Sequence, residues 1–305
     1  MTAEALITRR RFLGRSAATA GAVSSWPLVL QASAEPRPLR VPLKIGIRAA
    51  SLRMVGDLRV IRAAAAIPGI RGVELQVTGG KRNLRDWDVV RAYKREADRW
   101  AMHIPSLAGV WDQGVNLFSP RASESLRLSI RAAELLGASV ILVAFFGKNA
   151  PDMNRESSYG PVVELLRSVA PYAADAGVTL GLESSLSPAD ARRLIELVDH
   201  PAVKVYYDVH NMAYYGHRDQ AIRGIYLLGR DRICAVHVKN GSKLVEEPGP
   251  IDWAAALRAL SDIGYDGWFI YETQHDGYED CVRDTVRNNA YLRRHVRMPA
   301  VSVRG

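Results

Sequence analysis

Cysteine is almost absent from this chain: Cys234 and Cys281 are the two in 305 residues. Such scarcity excludes a small disulfide scaffold and the thiolate-rich zinc motifs, since the pair matches no ligand spacing. In a domain of this size both read as buried apolar side chains rather than as a bridge. Cys234 is expected to alternate away from the barrel interior and sit under a helix. Long apolar runs are missing too. The stretch from Ala17 to Leu30 is interrupted by Ser24, Ser25 and Pro27 and falls short of the ~20 residues a span needs, so no stable membrane anchor is expected. There is no glycine-rich phosphate turn where an open dinucleotide-binding sheet would carry one: Ile47-Arg48-Ala49-Ala50-Ser51 follows the first expected strand. A strict short-period repeat is also absent. Basic residues exceed acidic ones by 9, yet they alternate with acids along helical segments. That pattern makes a solvated surface, and no nucleic-acid partner is expected.

Part of the positive charge sits at the start. Thr8-Arg9-Arg10-Arg11-Phe12-Leu13 is followed by the weakly polar stretch and by Ala32-Ser33-Ala34. Basic head, apolar middle and small-x-small site are the parts of an export signal. The paired arginines before Phe-Leu resemble the bacterial twin-arginine signal. That resemblance implies the twin-arginine export machinery as a transient partner and a periplasmic or otherwise exported location. Four arginines and one glutamate leave with residues 1–34, so the basic excess falls to about 6. Residues 35–43 read as an extended, proline-rich lead-in, 44–298 as one domain and 299–305 as a short tail.

From Lys44 onward strand and helix alternate. Strands are expected at Lys44–Arg48, Gly72–Val77, Met102–Ser106, Val140–Phe146 and in four later runs. Helices are expected at 57–67, 84–100, 120–136, 161–176, 189–198, 220–228, 253–263 and 278–296. Gly137 and Gly177 read as helix stops. Eight strand–helix units in about 250 residues predict a closed parallel (β/α)₈ TIM barrel, an α/β fold of one domain.

The four later strands share one feature. Val178-Thr-Leu-Gly-Leu runs into Glu183, Val203-Lys-Val-Tyr-Tyr into Asp208, Ile233-Cys-Ala-Val into His237 and Trp268-Phe-Ile-Tyr into Glu272. Strand alternation puts Thr179, Gly181 and Glu183 on one inner face, then Lys204, Tyr206 and Asp208. Ile233, Ala235 and His237 follow, then Trp268, Ile270 and Glu272. Each polar residue comes last, at the C-terminal mouth where barrel enzymes keep their chemistry. A carboxylate at a strand end is most often a helix N-cap. Four in succession resist that reading, because histidine caps poorly and each next helix is expected several residues later. Three carboxylates and an imidazole converging would repel unless a divalent cation sits among them. Oxygen-rich ligation with one imidazole suits Mn²⁺, Mg²⁺ or Co²⁺, with Zn²⁺ admissible.

Together with Tyr206-Tyr207-Asp208-Val209-His210-Asn211, Ala235-Val236-His237-Val238-Lys239-Asn240, Gly249-Pro250-Ile251-Asp252-Trp253 and Tyr271-Glu272, these strands resemble the xylose-isomerase-like superfamily of sugar isomerases and epimerases. The resemblance implies one divalent ion held by Glu183, Asp208, His237 and Glu272, with Glu183 and Glu272 also acting as acid and base. It implies an isomerase or epimerase that moves a proton through a metal-stabilised enediolate. Export and the missing phosphate turn favour an unphosphorylated sugar or keto-sugar. The alternatives are a lyase or dehydratase on a keto-sugar or glycoside, and a non-catalytic exported sugar-binding barrel. A three-zinc DNA-repair branch needs many more than the seven histidines present. Two departures stand out: His210 fills a position that is glycine in several relatives, and Asn240 replaces an aspartate. His210 reads as a substrate contact or a loop residue, and Asn211 beside it as a substrate contact. His103 reads as a pocket residue or a structural histidine, Glu74 as a support of the site or a structural acid, and Lys239 as an oxyanion partner or a surface lysine. A homo-oligomer is compatible with the sequence.

Exported protein is expected to begin at Glu35, and replacing Arg9 and Arg10 is expected to hold it in the cytoplasm. N-terminal sequencing of the exported fraction checks both, and a mature chain that retains Met1 in the cytoplasm contradicts them.

Overall fold

The short apolar runs are rich in β-branched residues and bounded by glycine, proline and polar clusters, and each becomes one strand of a parallel sheet. A computed structural model describes residues 43–298. The expected export segment at 1–34, the lead-in before residue 43 and the tail at 299–305 lie outside the described residues.

The order of elements is β1 (Lys44–Arg48), α1 (Val60–Ala65), β2 (Gly72–Gln76), α2 (Trp87–Arg99), β3 (Ser106–Ala108), α3 (Ala122–Leu136), β4 (Val140–Phe145), α4 (Glu156–Asp175) and β5 (Thr179–Ser184). Then come α5 (Pro188–Val198), β6 (Val203–Asp208), α6 (Val209–Tyr214), α7 (Ala221–Arg232), β7 (Ile233–Val238), α8 (Trp253–Asp262), β8 (Trp268–Tyr271) and α9 (Tyr278–His295). The strands pair in sequence order and β8 closes on β1, as a (β/α)₈ barrel requires. Local signals start and stop the helices. Asp86, Ser187 and Asp252 cap α2, α5 and α8 through side-chain oxygens. Gly137 ends α3 in the left-handed region at φ 72°, which costs a glycine nothing. Among the described residues no helix is long and apolar enough to cross a membrane.

Two apolar layers result. The larger lies between the strands and the surrounding helices. The smaller fills the barrel and consists of Ala108, Val140, Leu142, Tyr206, Ala235 and Ile270. Gly46 makes room for this inner layer, because a Cβ there would lie 2.6 Å from Ile270 Cδ1. This plug supports the floor of the mouth.

Three expectations change. The third strand is Ser106–Ala108 rather than Met102–Ser106, and His103 makes only an isolated bridge to Gly72. The register between β6 and β7 shifts at Val205/Tyr206. This bulge leaves Cys234 packed against the inner layer and Ile233 in the outer one, the reverse of strict alternation. Finally, an unforeseen helix, α6, begins directly after Asp208. Cys234 and Cys281 are both free thiols.

Ile270 is fully buried against Gly46. Ile270→Ala is expected to destabilise the fold by about 2–5 kcal/mol, the usual result of a core cavity. Equilibrium denaturation measures it, and a loss under about 0.5 kcal/mol would mean that the barrel interior collapses freely.

Candidate active site at the barrel mouth

Parallel register brings the last polar residue of each late strand to one level. Asp208 pairs directly with His237 across β6 and β7, and His237 with Ile270 across β7 and β8. Glu183 lies one residue before the end of β5, and Glu272 one residue after β8. Each of the four offers a ligand atom, and these atoms all lie within 4.8 Å of one another.

His237 is the centre of the cluster and is fully buried. Its Nδ1 faces Glu183 Oε1 at 3.2 Å, Glu272 Oε2 at 3.4 Å and Asp208 Oδ2 at 3.8 Å. Its Nε2 faces the other way, toward Glu74 Oε1 at 3.4 Å. Burial alone would lower the histidine pKa, but the Glu183 and Glu74 carboxylates outweigh it and raise it to about 9. Glu74 is buried to the same degree. Burial pushes its pKa up, and His237, Arg48 and the Ser106 hydroxyl pull it down to about 2. Ser106 Oγ and Tyr206 OH both donate to Glu74 Oε2, at 2.7 and 2.8 Å. Burial and the Glu74 carboxylate push the Tyr206 phenol well above its ordinary pKa, so it remains a donor.

Asp208 has two separate tasks. Its Oδ1 accepts the Asn211 N–H at 2.9 Å and caps α6, so the cap reading holds for this residue. Its Oδ2 is buried without a hydrogen-bond partner, although Lys239 Nζ lies 2.7 Å away as an ion pair outside hydrogen-bond geometry. Asn211 Nδ2 donates to Glu183 Oε1 at 2.9 Å. Glu272 is the most open of the four, with a side chain 25% exposed, and two cations hold it. Lys239 Nζ donates to its Oε2 at 2.6 Å, and Arg48 Nη1 donates to its Oε1. Arg48 Nε also pairs with Glu74 Oε1 at 2.8 Å, off hydrogen-bond geometry.

This donor set fits a hard divalent ion. Three carboxylates and one imidazole nitrogen converge, one buried carboxylate oxygen lacks a hydrogen bond, and the second nitrogen of His237 is turned to a buried carboxylate. The last feature is the usual outer support of a metal-ligating histidine.

The other expected residues divide. Glu74 lies directly behind His237. Lys239 is an ion-pair partner inside the mouth and is only 15% exposed. His210 and Asn211 line a chamber of about 410 Å³ above the cluster, with Tyr214, Tyr215, Ser51 and Gln274. Burial lowers the His210 pKa, opposed by Asp208 and assisted by Lys239. His103 is the correction. The shift of β3 leaves it beside Gly72 and against the Trp268 ring at 5.6 Å, both at strand starts, so it is exposed at the opposite end of the barrel. Asn240 is explained by its loop. Its Nδ2 donates to the Leu244 and Glu247 carbonyls, each at 2.9 Å, which an aspartate could not do. Arg48, Ser106 and Tyr206 were missed. Alternation through Lys44 and Gly46 already put Arg48 inward at the mouth, and Tyr206 shares the face of Asp208.

Residues 61–297 match the family described as Xylose isomerase-like TIM barrel. The chain belongs to that family. Among known proteins, 2-epi-5-epi-valiolone 7-phosphate 2-epimerase of Actinoplanes sp. is 31% identical over 161 residues, which is 51% of this chain and 58% of that protein. The match thus spans little more than half of that protein's length. Similar solved structures include 3-keto-D-glucoside 4-epimerase from E. coli, with a TM-score of 0.68, 18% identity and coverage of 83% of this chain and 100% of that one. D-Psicose 3-epimerase from Clostridium cellulolyticum H10, solved with D-tagatose, has a TM-score of 0.68, 18% identity and coverage of 83% and 99%. At that identity the likeness establishes the shared fold.

If the cluster holds a divalent ion, Glu74→Gln is expected to weaken its binding by about 10–100-fold by loosening His237. His237→Ala is expected to abolish it. Metal content and metal titration of the two variants against wild type provide the check, and equal metal in all three places the ligands elsewhere.

Proposed function

We propose that this chain is a divalent-metal-dependent sugar epimerase or isomerase that moves a proton next to a carbonyl of an unphosphorylated sugar or keto-sugar. The observation that carries the reading is the convergence of Glu183, Asp208, His237 and Glu272 at the barrel mouth. A divalent ion there would polarise a carbonyl and its neighbouring hydroxyl and offset the charge of the enediolate.

The residues divide the remaining work. Glu183 and Glu272 stand at the ends of β5 and β8, with two strands between them around the mouth. They can approach one substrate from different sides, which a base and an acid need in order to invert a centre. Glu272 is open to the chamber and fixed by Arg48 and Lys239, so its free lone pairs point in a defined direction. Glu183 is fixed by Asn211. Lys239 is placed to neutralise a developing oxyanion beside Glu272. His210 and Asn211 would orient hydroxyl groups. Among the described residues, Lys239 is the one lysine or arginine lining the 410 Å³ chamber, and two carboxylates already hold it. Among the described residues this inner chamber has no cation without a carboxylate partner to offer a phosphate, which supports an unphosphorylated substrate. The reading includes export through the twin-arginine route, on the strength of Arg9, Arg10 and the Ala32-x-Ala34 site.

The metal-loaded enzyme is expected to exchange one carbon-bound hydrogen of its keto-sugar with solvent in D₂O, read by NMR. Glu272→Gln is expected to lose at least about 100-fold in turnover while still binding the sugar. Turnover with no deuterium at carbon would replace the two-glutamate route with a direct hydrogen transfer.

A further inference from the structure

A second cavity adjoins the mouth and is larger than the first. It measures about 590 Å³. The two share Ala50, Ser51, Thr273 and Gln274, so they form one continuous cleft. The outer part lies between the loop after β1, the Ser242 region after β7, and the turn from β8 into α9. None of Glu183, Asp208, His237 and Glu272 lines it.

A ligand site of about 300–1,000 Å³ holds one molecule of drug size. The inner chamber falls near the lower limit and suits one sugar ring. Both chambers together approach the upper limit and are oversized for one ring.

The outer wall has a definite chemistry. Arg53 and Arg283 provide guanidinium groups, and Asp276, Asp280 and Asp284 are interleaved with them. Three carboxylates disfavour an anion. Glu279 and Asp280 already occupy the first turn of α9, where a phosphate would otherwise find a favourable dipole. Two guanidinium groups disfavour a cation. The wall is also too polar for an apolar ligand. What remains is an uncharged ligand with many hydroxyl groups, which carboxylates accept from, arginines donate to and Gln274 serves in both senses.

The wall is held in place. His275 Nε2 and Thr273 Oγ1 share a hydrogen bond of 2.7 Å, and His275 Nδ1 faces Asp284 Oδ2 at 3.2 Å. Arg283 pairs with Asp280 at 2.6 Å and with Asp284 at 3.2 Å. Arg53 has φ 56°, an uncommon conformation for a bulky side chain. Its Nη1 donates to the Asp276 carbonyl at 2.6 Å, which ties the loop after β1 to the turn after β8.

We propose that the outer cavity is a second sugar subsite, so that the substrate is a glycoside: a keto-sugar ring at the carboxylate cluster and a neutral glycosyl unit among Arg53, Gln274, Asp280 and Arg283. This inference rests on the epimerase or isomerase reading and narrows its substrate class. The glycosyl unit makes no contact with the reacting carbons and adds binding only.

The test compares a keto-hexose with the same keto-hexose bearing a glucosyl unit, on the full metal-loaded chain. Solvent exchange gives kcat/KM and titration calorimetry gives Kd. Wild type is expected to favour the glycoside by at least about tenfold in both. Ser242→Trp, which fills the outer cavity, and Asp280→Ala, which removes a wall carboxylate, are each expected to lower that ratio severalfold. Equal constants for the two sugars in wild type, or an unchanged ratio in both variants, would overturn the subsite and leave the epimerase or isomerase reading standing. Exchange of neither sugar by wild type would overturn both.

Discussion

Like charge in a small space is the constraint on which this barrel depends. Four carboxylates, from Glu74, Glu183, Asp208 and Glu272, surround one fully buried imidazole. Such a group repels itself unless positive charge is interleaved with it. Arg48 and Lys239 provide two permanent cations, and both reach Glu272. The imidazole provides the third point of attraction, and it has a carboxylate on each side. The same density of oxygen is what makes the cluster suited to a divalent ion. An arrangement that is costly for the fold is thus one that would suit such an ion.

The fold bears this cost by fixing every member. Ser106 and Tyr206 satisfy the buried Glu74, Asn211 holds Glu183, and the backbone of α6 holds Asp208. Below them the inner layer of Val140, Leu142, Ala235 and Ile270 is closely packed, and Gly46 gives up a side chain to admit it. Groups at the mouth rest on strand ends, while the chambers above are built from the loops and from α6 and α9 that follow the strands. This division allows one fold to carry different chemistries on the same frame. The similar proteins named above are epimerases of different substrates. In this chain the part above the cluster is a cleft with two chambers, the outer one walled by the start of α9.

Much was legible in the sequence because each signal was local. Period-two alternation aims Glu183, Asp208, His237 and Glu272 to one side of their strands, and the β/α rhythm closes the barrel. Gly137 marks a helix end because its backbone angle is one that few other residues adopt. The assignments that failed were those in which a neighbour, not the residue itself, decides. A bulge between β6 and β7 turned Cys234 inward. A shift of a few residues in β3 carried His103 to the far end of the barrel. Asp208 caps a helix that no periodic pattern announced, since six residues are too few to show one.

By itself, then, the sequence determined the barrel and the identity of the clustered side chains, because strand periodicity is a property of each segment alone. Only the tertiary structure decided what surrounds them. Arg48 and Glu272 are 224 positions apart in the chain, and Glu74 and His237 are 163 apart. No local pattern connects such pairs, and they meet only when β8 closes on β1 and the barrel interior fills.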